Sequence, residues 1–462
     1  MPLIQDFIAQ NPIKTLIADH LIGSRRAMTE AGDLMERIER ARPEDVAAHQ
    51  ERALRRLLAR AAAVPRYSNL AGQLGKPLNE VTLADLPRIP FLTKEIMREE
   101  GARLLIPGAR GVSENHSGGS TGVPTRFWQD QEYKIHMGAA TRRSNQLAGA
   151  FPGARVGKLW GAPQDKRKIE GPLGRLKLWL LNQRYYDTFD MNADRMAAYH
   201  ADLERFQPDL IQAYASSIHL FARYLKSQGI RPTYPRVSII SSAEKLFPEM
   251  RAEIEEVFPV RVFDRYGSRE VSAMAAECSE HSGLHIEMAG YILETVDPAT
   301  GRPVDGTPGE IVVTVLNNFA QPFLRYRIGD MGILDRAPCA CGRTSHRLRE
   351  VVGRTSDNFV MPDGRVIHGE YFTHIFYGCP GVAQFQFVQH TPSEYALAIV
   401  PAPGLENSTV RRIEHEVREV IGAASILKIE LREAIPSTAS GKHRFTISHV
   451  DLREFTTPKA VL

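Results

Sequence analysis

His116-Ser117-Gly118-Gly119-Ser120-Thr121-Gly122-Val123-Pro124-Thr125 packs three glycines and four hydroxyl residues into ten positions. Glycine lets backbone N–H groups come close to an anion, and hydroxyls add donors around it. By itself the run reads equally as a flexible loop or as a phosphate cradle. No Gly-Lys-Ser/Thr ending follows, so it is not a Walker A sequence and the P-loop NTPase reading falls away.

On its N-terminal side, residues 28–63 carry Ala, Arg, Glu and Leu, with Leu54, Leu57, Leu58 and Ala61 at three- and four-residue spacings. Amphipathic helices are expected there. Arg52, Arg55, Arg56 and Arg60 read as a solvated helix face rather than as a membrane or nucleic-acid surface. On the C-terminal side, from about residue 153, β-branched runs such as Val237-Ser238-Ile239-Ile240 and Val260-Arg261-Val262-Phe263 alternate with helical patterns such as residues 249–257. That alternation implies parallel or mixed sheets covered by helices. A Pro/Gly-rich turn at 301–309 leads into a strand over 309–315 and a more compact β region. Beyond Gly353 the pattern becomes strand, hairpin turn at Pro362-Asp363-Gly364, strand, and a helix over 408–421 flanked by strands at 395–400 and 427–431. These features predict a separate small α+β domain. No internal repeat is seen.

A chain of 462 residues suggests two or three packed units. Its 43% hydrophobic and 24% charged residues are ordinary for a globular protein. The 58 basic and 54 acidic residues leave a net charge of +4, which gives no electrostatic case for nucleic acid. The N-terminus does not read as a signal peptide, and no apolar run reaches the roughly 18 residues of a bilayer span. Four cysteines, Cys278, Cys339, Cys341 and Cys379, are too few for a disulfide scaffold. A cytoplasmic location is expected.

Six motifs along the chain resemble the adenylate-forming (acyl-CoA synthetase-like) superfamily, especially its phenylacetate-CoA ligase branch. The opening run is similar to that family's phosphate loop, which implies ATP contacts from Ser117, Gly118, Gly119, Ser120, Thr121 and Gly122. Phe263-Asp264-Arg265-Tyr266-Gly267-Ser268-Arg269-Glu270 resembles the Tyr-Gly-x-x-Glu element. The resemblance implies that Arg265, Tyr266 and Gly267 lie at the adenine and that Glu270 helps to hold Mg²⁺. Ser242, Ala243 and Glu244 match the second adenine-side loop. Arg325-Tyr326-Arg327-Ile328-Gly329-Asp330 is similar to Arg-Tyr-x-Thr-Gly-Asp, whose aspartate accepts hydrogen bonds from the ribose hydroxyls, a task suited to a carboxylate. Gly353-Arg354 resembles the hinge, with Arg354 reaching the nucleotide, and Pro436-Ser437-Thr438-Ala439-Ser440-Gly441-Lys442 the loop that delivers the catalytic lysine. Phe91-Leu92-Thr93-Lys94 matches the leader of the nucleotide domain.

The implied fold is α/β, with a large N-terminal domain of mixed sheets flanked by helices plus a small β region, and a small mobile α+β C-terminal domain. Its parts are a helical segment over 1–90, a nucleotide- and carboxylate-binding core over 91–353, and the lysine-bearing domain over 354–462. The implied chemistry is ATP-dependent activation of a small carboxylic acid to an acyl-adenylate, then acyl transfer. Lys442 supplies positive charge where the carboxylate meets the α-phosphate, and Mg²⁺ screens the phosphates. Trp160, Tyr214 and Ser216 are candidates for the acid pocket, the first two pointing to an apolar or aromatic acid, although such residues are more often plain core.

Three departures qualify the match. Val123 stands where the phosphate loop usually carries Lys, and Ser356 stands at the hinge position of an acidic or lysine residue, with Asp357 one later. Residues 358–365 read as a tight hairpin in place of the loop that enters the site for thioester formation. Adenylation is therefore better supported than transfer to CoA, and the pattern resembles the subgroup associated with polysaccharide biosynthesis. CoA, an amine, a hydroxyl or a carrier thiol remain alternative acceptors. Lys442, Asp330 and Glu270 together argue against a scaffold that has lost catalysis.

Cys339-Ala340-Cys341 and the pair Cys278 and His285, with His281 between them, offer three thiols and an imidazole. That donor set suits a structural Zn²⁺, and the alternative is unrelated buried cysteines. Relatives in the branch pair a Cys and Gly-Leu-His with C-x-C, which favours His285 over His281. Cys379 is expected in the core.

Overall fold

The computed structural model describes residues 25–117, 125–151, 153–160, 171–188, 191–354, 358–363, 366–368, 372, 375–376, 379–436 and 444–450. Helices α1 (Arg25–Ile38) and α2 (Pro43–Ala61) open it. Pro43 sits in the first turn of α2, where its missing N–H costs nothing and its fixed φ is already helical. The expected stripe of Leu54, Leu57, Leu58 and Ala61 is fully buried. The expected arginine face is exposed at Arg52, Arg56 and Arg60, with Arg55 half-buried. Arg56 nevertheless stacks 4.4 Å over Phe319 and pairs with Glu132.

Strands β1 (Ser113–His116) and β2 (Arg126–Gln129) pair antiparallel and flank the glycine- and hydroxyl-rich run in sequence. Helix α3 (Gln131–Leu147) follows, capped by Asp130, whose second oxygen accepts from Phe319 N. Next come β3 (Val156–Trp160), α4 (Pro172–Leu180), β4 (Gln183–Asp187), α5 (Ala193–Phe206), β5 (Leu210–Tyr214), α6 (Ala215–Ser227), β6 (Ser238–Ser242), α7 (Pro248–Val257) and β7 (Val262–Ser268). Strands β4-β3-β5-β6-β7 are parallel neighbours. Every residue of β5 and β6 is buried, as parallel strands sheathed by crossover helices require.

The sheet then turns antiparallel through β8 (Ser272–Glu277), β9 (Leu284–Ile286), β10 (Tyr291–Val296), β11 (Gly309–Val315), β12 (Tyr326–Asp335) and β13 (Arg347–Arg354). The eleven strands run in the order β10-β11-β12-β13-β9-β8-β7-β6-β5-β3-β4. The more compact β region expected within the large domain is joined edge to edge with the parallel strands in one mixed sheet. Short β9, paired to both β8 and β13, makes the junction. Helices α1 and α2 share one apolar core with β10–β12, while α6 and α7 cover the parallel half.

A second sheet contains β16 (Val382–Thr391), β17 (Glu394–Pro401), β18 (Ile426–Leu431) and β19 (Thr446–Ser448) in the order β18-β17-β16-β19, after a hairpin of β14 (Asn358–Val360) and β15 (Val366–His368). Helix α8 (Asn407–Ile421) lays Ile413, Val417, Val420 and Ile421 on it. The buried amide of Gln389 accepts from Val360 N and donates to Val360 O. A side chain thus supplies both hydrogen bonds of a strand partner and fastens the hairpin to the sheet. No helix among the described residues is long and apolar enough to cross a membrane.

Candidate active site and metal centre

Ligands of open α/β sheets bind beyond the carboxyl ends of parallel strands, and several sequence candidates sit there. Tyr214 ends β5 and Trp160 ends β3, their rings 4.4 Å apart and inclined by 44°. Ser242 ends β6, and Ala243 follows in the left-handed region with φ 71°. Glu244 accepts from the backbone N–H of Ser216 at 2.9 Å, satisfying a donor at the start of α6 that lacks an intrahelical partner. Lys245 donates to Glu350 Oε1 at 3.0 Å and to Val352 O at 3.2 Å, tying this loop to the end of β13. Arg265 is buried, its guanidinium turned inward to Ser242 Oγ and Asn145 Oδ1 at 3.4 and 3.5 Å. Burial pulls its pKa down to about 10 against the opposing pull of Asp264.

Across the sheet, the Tyr266 hydroxyl donates to Asp330 Oδ2 at 2.7 Å, and Asp330 lies opposite Arg354 in the β12–β13 register. Glu270 is buried at 4% exposure, with Oε2 accepting from Ser268 Oγ at 2.8 Å and Oε1 from the Tyr326 hydroxyl at 3.3 Å. Tyr133 donates to the backbone carbonyl of Glu270 at 3.1 Å. Burial and the nearby Glu270 charge push the Tyr326 phenol well above its ordinary range, which keeps it a donor. The leader strand docks on the same element: Leu92 N–H donates to Arg325 O and Arg327 N–H to Leu92 O, at 3.2 and 2.9 Å.

Between Tyr266 and Gly267 the β7–β8 register shifts, as at many bulges beside functional sites. A Cβ at Gly267 would sit 1.8 Å from the Ser272 carbonyl oxygen, so only glycine fits without moving backbone. Gly267→Ala is expected to destabilise the fold by about 1–3 kcal/mol and to loosen the Tyr266–Asp330 contact. Thermal melting alongside ATP binding checks both effects.

Gly118, Gly119, Ser120, Thr121, Gly122 and Lys442 lie outside the described residues, as does the side chain of Arg354. The base of the phosphate-loop candidate is described: Ser117 N–H donates to Thr125 O at 2.9 Å, and Ser117 Oγ accepts from Thr125 N at 2.8 Å.

On the far side of β8, the ligating atoms of Cys278, His285, Cys339 and Cys341 lie within 4.8 Å of one another. Cys278 Sγ and Cys339 Sγ are 3.9 Å apart, and Cys341 Sγ is 3.4 Å from His285 Nε2. A tetrahedron with zinc–sulfur bonds of about 2.3 Å has edges of roughly 3.8 Å, so the spacing fits such an ion. His285 Nδ1 meets Ser345 Oγ at 2.9 Å, which orients the ring as supporting hydrogen bonds do at metal sites. Burial, with Arg343 and Arg347 nearby, lowers the His285 pKa to about 4, leaving a neutral imidazole. Burial pushes the Cys278 thiol up to about 12. At Cys339 burial is outweighed by hydrogen bonds from Ser282 and the neighbouring cysteines, and the thiol falls to about 7. His281 instead faces Glu277 and Arg251. Cys379 lies in the core of the small sheet.

A family model described as the CapK C-terminal domain matches residues 359–449. The chain is 25% identical over 392 residues to Protein CapK of Staphylococcus aureus, covering 83% of this chain and 84% of that protein. It is 29% identical over 328 residues to the phenylacetate-coenzyme A ligase of Thermus thermophilus, covering 69% of this chain and 72% of that one. In three dimensions it resembles a crystal structure of 2-hydroxyisobutyryl-CoA ligase in the postadenylation state in complex with R3-HIB-AMP, at a TM-score of 0.72 and 21% identity, over 91% of this chain and 93% of that one. In sequence the chain is similar to CapK and to phenylacetate-coenzyme A ligases, and it has the fold of an adenylate-forming CoA ligase.

Within this chain the fold brings together Ser242, Ala243, Glu244, Ser216, Tyr214 and Trp160 at one set of strand ends. It also joins Tyr266 to Asp330. Sequence reading did not assign roles to Ser268 and Tyr326, which hold Glu270, or to Lys245 and Asn145. Ser268 and Tyr326 lay inside quoted motifs, and only their contacts reveal what they do. Lys245 and Asn145 carried no signal, since their partners are 105 and 120 residues distant.

Proposed function

We propose that this chain activates a small carboxylic acid with ATP, forming an acyl-adenylate and pyrophosphate, and then passes the acyl group to an acceptor. The observation that carries the reading is the constellation of Tyr266 bonded to Asp330 and Glu270 buried between Ser268 and Tyr326. Asp330 offers carboxylate acceptors to a ribose diol, and Tyr266 a ring face to adenine, its hydroxyl anchored on that same carboxylate. Each oxygen of Glu270 accepts one hydrogen bond from the protein and keeps a second lone pair, which fits a Mg²⁺ ion. Bound there, the ion would neutralise phosphate charge. Ser268 and Tyr326 fix the carboxylate before any ligand arrives. Lys442 would bring positive charge to the α-phosphate from a small domain, residues 354–462, that moves against the core of 91–353 and the helical segment 1–90. Trp160 and Tyr214 would line the acid pocket and favour an apolar or aromatic acid.

ATP–pyrophosphate exchange across a panel of carboxylic acids tests the reading. Acid-dependent exchange is expected, and its absence with aliphatic, hydroxy and aromatic acids alike would sink the proposal. Asp330→Ala is expected to weaken ATP binding about 10- to 100-fold, the range for losing a hydrogen-bonded charged group. Calorimetry giving an unchanged affinity would remove Asp330 from the site.

The names of the phenylacetate-coenzyme A ligase relatives support CoA as acceptor. The β14–β15 hairpin favours a second reading, transfer to an amine, hydroxyl or carrier thiol as in polysaccharide assembly. Phe359 is wholly buried against Phe372 and Phe387, so this segment is built into the small core. CoA-dependent thioester formation separates the two. Cys278, His285, Cys339 and Cys341 are proposed to hold a structural Zn²⁺, remote from the chemistry. A cytoplasmic location, where ATP is available, completes the reading.

A further inference from the structure

Helix α4 lies in the crossover from β3 to β4 and turns its smallest residue, Gly174, inward. Leu173, Leu176 and Trp179 are 82%, 49% and 56% exposed. They are three of the seven exposed large apolar side chains among the described residues, gathered on one nine-residue helix while the others lie elsewhere in the chain. At about 100° per residue, Trp179, Leu176, Leu180 and Leu173 fill one arc of roughly 120°. Arg175 lies at one margin of that arc and Lys177 at the other. Surface helices ordinarily bury such a stripe. Here it faces outward between two cationic rims.

We infer that α4 is a peripheral docking helix for an anionic lipid surface. Leu173, Leu176 and Trp179 enter the boundary between headgroups and acyl chains, and Arg175 and Lys177 stay at the lipid phosphates with their apolar stems along the boundary. Charge selects this occupant. From Gly171 to Tyr186 the sequence contains Arg175, Lys177 and Arg184 and no acidic residue. A second copy docking face to face would set Arg175 and Lys177 against their own counterparts, because a two-fold interface brings the same patch to itself. An anionic bilayer answers both the apolar arc and its rims. The crossover leaves β3 at Trp160, so docking would act on the element that also carries an acid-pocket candidate.

The test is co-sedimentation of the full chain with phosphatidylcholine vesicles, with and without 30% (about one lipid in three) phosphatidylglycerol. Binding is expected only with the anionic lipid and is expected to weaken as salt rises. Leu173→Glu with Leu176→Glu should lower partitioning more than about tenfold. Arg175→Ala with Lys177→Ala should lower it roughly 30-fold. All four positions are exposed, so unchanged melting midpoints are expected and confirm folded variants. Absence of binding to anionic vesicles overturns the proposal. So does equal binding by wild type and the double-glutamate variant, or a wild-type dimer that this variant converts to monomer with no vesicle binding. None of these readouts depends on the adenylation reading.

Discussion

Replacing Lys442 by alanine is expected to lower ATP–pyrophosphate exchange by about a thousandfold or more while leaving ATP affinity nearly unchanged. In sequence Lys442 stands between β18 and β19, and β19 pairs with β16 in the small sheet. Tyr266, Asp330 and Glu270 belong to the large sheet and its turns, so the proposed nucleotide contacts and the lysine arise from different parts of the fold. Phe445, three residues after Lys442, packs against both: its ring lies 5.2 Å from Phe385 of the small sheet and 6.3 Å from Phe247, just past the Ser242–Lys245 loop. That contact ties the lysine's chain neighbourhood to a loop assigned to adenine. A positive charge delivered there stabilises the meeting of two anions and adds little to ground-state binding, so kcat falls and ATP affinity does not. Transfer from a pre-made acyl-adenylate should survive in the variant. Wild-type exchange rates in Lys442→Ala would refute the assignment.

The second large effect is expected on stability. Removing the metal proposed for Cys278, His285, Cys339 and Cys341, or making Cys278→Ser, should cost about 4 kcal/mol or more. The reason is topological. Cys278 follows β8, His285 lies in β9, and Cys339 and Cys341 belong to the β12–β13 connection, so one ion would clamp the segments that join the parallel and antiparallel halves. The same connection reaches the residue that follows α1, where Arg343 pairs with the buried Glu39 at 2.9 Å and Thr344 N–H donates to its carbonyl at 2.9 Å. Without the ion, the four side chains would touch only through weak thiol and imidazole contacts, leaving the short β8–β9 and β9–β13 ladders to hold the junction. Zinc should bind more tightly as pH rises, because the Cys278 thiol, pushed up to about 12 by burial, must lose its proton to ligate. Metal analysis after reducing, chelator-free purification should find about one zinc per chain; none would end the assignment.

Local pattern carried far in this chain. The stripe Leu54, Leu57, Leu58 and Ala61, the strand over 309–315, the 358–368 hairpin and the helix ending at Ile421 were legible because each is written in contiguous residues, by periodicity or turn chemistry. The proposed metal donors were legible as types, since three thiols and an imidazole have few other common uses. The joining of the antiparallel strands to the parallel ones was not legible: strand periodicity reports which face is buried and not which edge pairs with which neighbour.

By itself, then, the sequence determined the chemical inventory: a hydroxyl-rich glycine loop, an ordered series of nucleotide motifs, and a cysteine–histidine donor set. Tertiary structure decided how that inventory is used. It turned Arg265 inward to Ser242 and Asn145, set Tyr266 on Asp330, enclosed Glu270 between Ser268 and Tyr326, and placed His285 rather than His281 beside the three cysteines. It also turned the apolar arc of α4 outward. The physical reason is shared by all of these. Motifs are short and local, whereas hydrogen-bond partners, burial and exposure depend on which distant segments a sheet brings side by side, and that is settled only when the whole core packs.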